Sequence, residues 1–179
     1  LGWEFLDSAK NPLPEWPALT QLNSIVQPLN RPLPPITTAV DVQNPLLGPN
    51  GCTRIYGPQK GLNESDLPIA EDALKKLARI WKQQTDADAA QLPGSGAAGG
   101  LGFGLHCFAN AELQPGFELF ARTVRLVEKL AEADIVITGE GGMDRQTVMG
   151  KGVGELAKLA RQHDCRCLAF AGTVTDEAT

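Results

Sequence analysis

Apolar and polar positions change their spacing several times along the chain, and each change predicts an element. Leu1-Gly2-Trp3-Glu4-Phe5-Leu6 reads as a short strand. The segment after it carries Pro12, Pro14, Pro17, Pro28, Pro32, Pro34 and Pro35, which exclude long helices. Ile36 to Val42 is a β-branched run and a predicted strand, which Pro45 stops. Gly48-Pro49-Asn50-Gly51 and Gly57-Pro58-Gln59-Lys60-Gly61 are turn clusters. Ser65 or Asp66 then caps a helix that tolerates Pro68 in its first turn and places Leu67, Ala70, Leu74, Leu77 and Trp81 on one face. After a polar loop, Asp86 to Gln91, the glycine-rich run from Gly94 to Gly104 opens a small-residue helix ending near Ala109. Phe117, Phe120, Val124, Val127 and Leu130 predict a further amphipathic helix. Asp134-Ile135-Val136-Ile137 reads as a buried parallel strand, followed by a helix over 153–163 and a strand over 166–171. A strand–helix–strand crossover of this kind implies a parallel sheet with a right-handed connection.

Composition narrows the class. The 179 residues suffice for one medium domain or parts of two, and 42% hydrophobic with 21% charged residues can build a core. A net charge of −5 argues against nucleic acid or an anionic membrane as partner. The longest apolar runs fall well short of the ~20 residues of a spanning helix. Cys52, Cys107, Cys165 and Cys167 are too scattered for a disulfide framework, and without a second pair or a His cluster they do not read as a zinc site. Buried free thiols in a reducing cytoplasm are the expectation. The chain opens without Met on a strand in mid-fold and closes just after another, so both ends read as cut from a longer protein.

The chemistry concentrates in Thr138 to Lys151, a glycine-rich stretch at the C-terminal end of a predicted strand, where open α/β sheets bind ligands. Glu140 and Asp144 can face one Mg²⁺, which favours few protein oxygens plus phosphates, or either can accept a hydroxyl proton. Gln146 and Thr147 add neutral donors, and Lys151 can offset phosphate charge. The bland account is an ordinary β–α turn with Asp144 as a cap. Gly94-Ser95-Gly96-Ala97-Ala98-Gly99 fits G-x-G-x-x-G, but a polar loop precedes it where a dinucleotide fold needs a strand. Closely spaced glycines there either expose backbone N–H groups to an anion or let two elements pack closely; Gly102 and Gly104 fit the packing account. Lys60 is a point charge on a constrained turn, or simply solvated. Asp41 and Asn44 flank a strand end, as an Asx-turn or as ligands of a metal or hydroxyl. His106 sits among apolar neighbours as a core histidine, and His163 complements a helix C-terminus.

Four separated motifs, Asp41-Val42-Gln43-Asn44-Pro45-Leu46, Gly57 to Gly61, Gly94 to Gly100 and Thr138 to Lys151, make the chain resemble the bacterial glycerate kinase family of the glycerate 2-kinase type. The resemblance implies an α/β fold in which a discontinuous flavodoxin-like domain with a parallel sheet carries an inserted second α/β domain with a mixed sheet. Residues 1–125 would then be the inserted domain and 126–179 part of the flavodoxin-like one. It implies ATP-dependent phosphorylation of D-glycerate with Mg²⁺, with no nucleic acid or membrane partner. Asp144 or Glu140 would hold the metal or take the hydroxyl proton, and Lys60 and Lys151 would neutralise phosphate or carboxylate. The backbone at Gly94, Ser95, Gly96, Gly99 and Gly100 would cradle an anion, Asn44 would orient a hydroxyl, and Gln146 and Thr147 would add contacts. The chain departs from the family in Gly142, where the family has Arg, and in Gly152-Val153-Gly154, which replaces a Pro-containing link. The family's opening strand and phosphate-contact loops precede Leu1, so this piece alone is expected not to turn over. Two other classes compete: a non-catalytic anion- or nucleotide-binding or assembly module, and a dinucleotide-dependent oxidoreductase resting on the glycine pattern alone.

Overall fold

The computed structural model describes residues 1–29, 33–143 and 152–175. They form an α/β chain of two compact units, Leu1–Gln114 and Pro115–Thr179. No helix among the described residues is long and apolar enough to cross a membrane.

In the first unit, β1 (Glu4–Leu6) pairs antiparallel with β2 (Ser24–Val26), and β3 (Thr37–Val40) pairs with β4 (Glu112–Pro115). The helices are the short α1 (Cys52–Tyr56), the long α2 (Leu67–Thr85) and α3 (Ala97–Ala109). α2 keeps the predicted face: Ala70 and Leu77 are buried, and Leu74 and Trp81 pack partly buried on the core. Asp66 stands at its N-cap without capping it; the carboxylate instead accepts the Asn63 N–H at 3.2 Å. The Gln84 amide ties α2 to β2, accepting from Ile25 N at 2.9 Å and donating to Ile25 O at 3.1 Å, so an edge backbone is satisfied by a side chain.

The core joins Leu22, Ile25, Leu46, Leu77, Ile80 and Phe103. Beside it Phe108 meets Trp3, Phe5 and Trp81 edge-on at centroid distances of 5.2, 5.3 and 5.1 Å, the arrangement the aromatic quadrupole favours. Trp3 Nε1 donates to Phe108 O at 2.8 Å, which satisfies the indole in this apolar setting.

Gly102 and Gly104, two residues apart and so on different sides of α3, turn out to be different. A Cβ on Gly102 would run into the Gly94 carbonyl, whereas Gly104 has nothing within 4 Å. Gly104→Ala is therefore expected to stabilise by about 1 kcal/mol, the helix-propensity gain alone. A raised urea midpoint checks it; a lowered one would mean the space around Gly104 is not open.

In the second unit, α4 (Gly116–Thr123), α5 (Leu126–Ala131) and α6 (Gly152–Gln162) accompany β5 (Ile135–Met143) and β6 (Arg166–Val174). β5 and β6 are parallel, from Ile135 opposite Arg166 to Met143 opposite Val174, as the crossover pattern predicts. Three boundaries differ from what the sequence predicts, one of them the end of β6, which runs past residue 171 to Val174. The helix expected over Phe117 to Leu130 breaks at Arg125, which takes φ 51°. The break lets Leu126 and Leu130 share the core face and leaves Phe120 and Val127 exposed. β5 also runs on through Gly139, Gly141 and Gly142 to Met143, into what the glycines suggest is a loop. Gly139 is tolerated there because its strand lies so close that a Cβ would sit 2.6 Å from Phe170 O.

Side chains alternate across this sheet. Val136 and Cys167 pack with Leu156, Leu159 and Ala160 of α6, while Ile135, Ile137, Leu168 and Phe170 on the opposite face are exposed.

Candidate functional site

The first unit holds three of the four sequence motifs: two of them, at Gly57 to Gly61 and Gly94 to Gly100, line one cavity, and the segment through Asn44 is fastened to the second of these. After β3, the segment through Asn44 turns into α1. Leu46 is completely buried and its N–H donates to Ala90 O at 2.9 Å, and Cys52 N–H donates back to Leu46 O at 3.2 Å. Gly57 and Pro58 then start a single 3₁₀ turn, Pro58–Lys60, which Gly61 closes at φ 90°, a conformation that favours glycine. That turn aims Lys60 at the glycine-rich loop. Lys60 Nζ donates to Ala98 O at 3.2 Å and lies 3.5 Å from the point where a Cβ on Gly99 would stand.

The glycine-rich loop has its own geometry. Ala98, Gly99 and Gly100 all have positive φ (53°, 79° and 98°) before the helix proper resumes. Its N–H groups are largely engaged. Gly96 donates to Asn44 O at 2.9 Å, Ala97 to Gly94 O at 3.0 Å, and Gly99 and Gly100 both to Gly96 O at 3.1 and 3.3 Å. Ser95 is completely buried, and its hydroxyl donates to Ala90 O at 3.0 Å. No strand directly precedes Gly94; residues 90–96 are turns, and Gly94 instead packs on Val40 at the end of β3. Asn44 is likewise engaged: its amide donates to Asn50 O at 2.8 Å and accepts the Tyr56 hydroxyl at 2.7 Å. Burial, and then the neighbouring Cys52, push the Tyr56 phenol up, which keeps its proton on the donor.

The cavity beside this loop has a volume of about 250 Å³. Lys60, Gly99, Thr53, Trp16, Leu62 and Leu74 line it, with Cys52, Gly57 and Ala70 completing the wall. Among the described residues Lys60 is its one cation, in an otherwise mostly apolar lining, so an anion there meets little competing charge from them. Thr53 and Trp16 escaped the sequence reading. They join the site only through long-range packing of the 3₁₀ segment Trp16–Gln21 and α1 against α2, and no local pattern marks them. Burial pushes the Cys52 thiol up, with the Glu71 carboxylate adding to it, so Cys52 is a neutral wall residue that donates to Leu46 O at 3.3 Å. Cys107, pushed up to about 12 by burial, is equally inert. His106 Nδ1 lies 2.9 Å from Ala111 O, a satisfied histidine as its setting predicts.

The second unit holds the remaining motif. Glu140 sits on β5 opposite Ala171, half-buried on the face shared with Val136 and Thr138. Asp144, Gln146, Thr147 and Lys151 lie outside the described residues. Among the described residues no group of three or more His, Cys, Asp or Glu side chains could hold a metal ion.

A family model for the glycerate kinase family matches residues 1–179. Glycerate kinase from Halalkalibacterium halodurans is 42% identical over 139 residues, 78% of this chain and 37% of that protein. Glycerate 2-kinase from Escherichia coli K12 is 39% identical over 142 residues, 79% of this chain and 37% of its own length. Glycerate kinase from Bacillus subtilis is 35% identical over 182 residues, which take in 99% of this chain and 48% of that protein. The crystal structure of a protein assigned as glycerate kinase 2 from Salmonella typhimurium LT2 is similar with a TM-score of 0.79 at 33% identity, covering 98% of this chain and 50% of the other. The chain thus spans half or less of the length of the relatives it matches.

Proposed function

The chain belongs to the glycerate kinase family, and from that we propose that the protein containing it transfers the γ-phosphoryl group of ATP to D-glycerate. The observation that carries the reading is Lys60, held against the glycine-rich loop at the mouth of an apolar cavity in a chain the family model covers throughout. Phosphoryl transfer asks the protein mainly for positioning and charge neutralisation. Lys60 would neutralise the glycerate carboxylate or a phosphate, and the apolar wall would strengthen that attraction by excluding water. Since several loop N–H groups are engaged internally, the anion contact here falls chiefly to the Lys60 ammonium.

On the same reading the protein has a flavodoxin-like domain, of which 126–179 form part, and an inserted domain made by 1–125. Mg²⁺ offsets phosphate charge when bound. Glu140 fits as one of the one or two carboxylates such an ion takes beside phosphate oxygens, and Asp144 would be the other or the acceptor of the glycerate hydroxyl proton. Lys151, Gln146 and Thr147 would complete the phosphate contacts. Glu140→Gln, which keeps the shape and removes the charge, is expected to lower kcat of the complete gene product by about 100-fold; an unchanged kcat would remove Glu140 from the site.

A thermal-shift titration of the complete gene product tests the function. D-glycerate and Mg-ATP should each raise Tm, and NAD should not. A shift with NAD and none with D-glycerate would favour the oxidoreductase class, and binding without turnover the non-catalytic module.

A further inference from the structure

We propose that Thr53 is a ligand-binding residue of this cavity, its hydroxyl hydrogen-bonding an oxyanion whose charge Lys60 balances. The proposal rests on the reading above that the cavity is a ligand site. Thr53 is 4% exposed, and its Oγ1 is closed off from solvent with no hydrogen-bond partner. Buried hydroxyls are rarely left so, because the unmet group forfeits its hydration without return. The adjacent Cys52 sulfur is the polar neighbour its hydroxyl could donate to, and it would do so well only to a thiolate; the neutral thiol is a weak acceptor and gives its own proton to Leu46 O at 3.3 Å. The other unpartnered buried side-chain oxygen among the described residues, Glu71 Oε2, belongs to a carboxyl whose second oxygen takes the Gly48 N–H at 2.9 Å and which does not line the cavity.

Thr53 does line it, together with Lys60 and Gly99. Turning the hydroxyl toward a guest takes a χ1 rotation, and a helical threonine divides between two χ1 rotamers. The guest's chemistry follows from the wall. An oxyanion entering a cavity bounded by Trp16, Leu62, Ala70 and Leu74 loses water and needs both a counter-charge and a hydrogen-bond donor. Lys60 supplies the first and Thr53 the second. A carboxylate of glycerate and a phosphate of ATP share that chemistry.

The test uses the complete gene product with Thr53→Val, which keeps the shape and loses the hydroxyl, and Thr53→Ser, which keeps the hydroxyl. D-glycerate and ATP are titrated separately, with Trp16 in the cavity wall as the fluorescent reporter, and Tm is read without ligand. The expected result is binding of one of the two ligands weakened about tenfold in Thr53→Val and restored to within about twofold in Thr53→Ser. Tm should be unchanged or higher in Thr53→Val, since an unmet buried hydroxyl has been removed. The ligand affected identifies the oxyanion. Wild-type affinity for both ligands in Thr53→Val would overturn the proposal while leaving the kinase reading intact. A lowered Tm with both ligands weakened and no rescue by serine would reduce Thr53 to packing and overturn it too. If the wild-type protein binds neither ligand, the kinase reading falls and this proposal with it.

Discussion

Gly96→Ala is expected to destabilise the first unit by about 3 kcal/mol or more, from overpacking together with a broken hydrogen bond. Backbone conformation is not the cause, because Gly96 has φ −79°, which alanine adopts freely. The cause is proximity. A Cβ there would run into the Pro45 carbonyl oxygen and stand 2.9 Å from Asn44 O, the same oxygen that accepts the Gly96 N–H at 2.9 Å. Both obstacles are backbone, so neither can rotate away, and separating them breaks the bond that fastens the Asn44 segment to the glycine-rich loop. Leu46, completely buried just beyond, moves with that segment. Against a total stability of about 5–15 kcal/mol the loss is large. Urea denaturation should show a much lower midpoint at an unchanged m-value; a midpoint equal to wild type would mean the two segments do not touch as described.

Lys60→Ala should do the opposite, sparing the fold and disabling the site. The side chain is exposed, and among the described residues its one hydrogen bond runs to Ala98 O at 3.2 Å, so the unfolding free energy should stay within about 0.5 kcal/mol of wild type. In the complete gene product, glycerate-dependent turnover should fall about 100-fold or more, the scale of losing one preorganised charge that meets the substrate. Lys60→Arg should recover part of it, since the charge returns with a different shape. Turnover within about twofold of wild type in Lys60→Ala, at equal stability, would mean the cavity is not where substrate charge is met.

The parts of the fold set by short-range periodicity were readable from sequence. Leu67, Ala70, Leu74 and Leu77 mark α2 because burial of one face imposes that spacing locally. The continuous apolar run Ile135 to Ile137, with the run after Arg166, marks the parallel pair. Among the described residues, though, only the face of Val136 and Cys167 is covered, and the strand is not buried on both sides as expected. Glycine was the harder letter. It signals a turn equally whether the chain bends or another backbone passes close by, and at Gly139 it is the latter, so β5 extends further than its apolar residues suggest. Arg125 carries no mark of the left-handed turn it makes between α4 and α5.

The candidate site divides in the same way. Lys60 and the loop at Gly94 to Gly100 were legible because Gly and Pro announce constrained backbone, and the structure brings Lys60 to Ala98 and Gly99. Thr53 and Trp16 were not, since nothing in residues 52–54 or 15–17 foretells a shared cavity with Leu74. Asn44 stood out as a polar residue at a strand end; the amide's bonds to Tyr56 and Asn50 depend on how the chain folds back six and twelve residues later.

Glycerate-dependent ADP formation by the complete gene product, with the product identified by NMR, tests the central claim most directly. The account predicts ADP release that requires D-glycerate and Mg-ATP and yields one phosphoglycerate. A well-folded protein that releases no ADP in response to D-glycerate would contradict it.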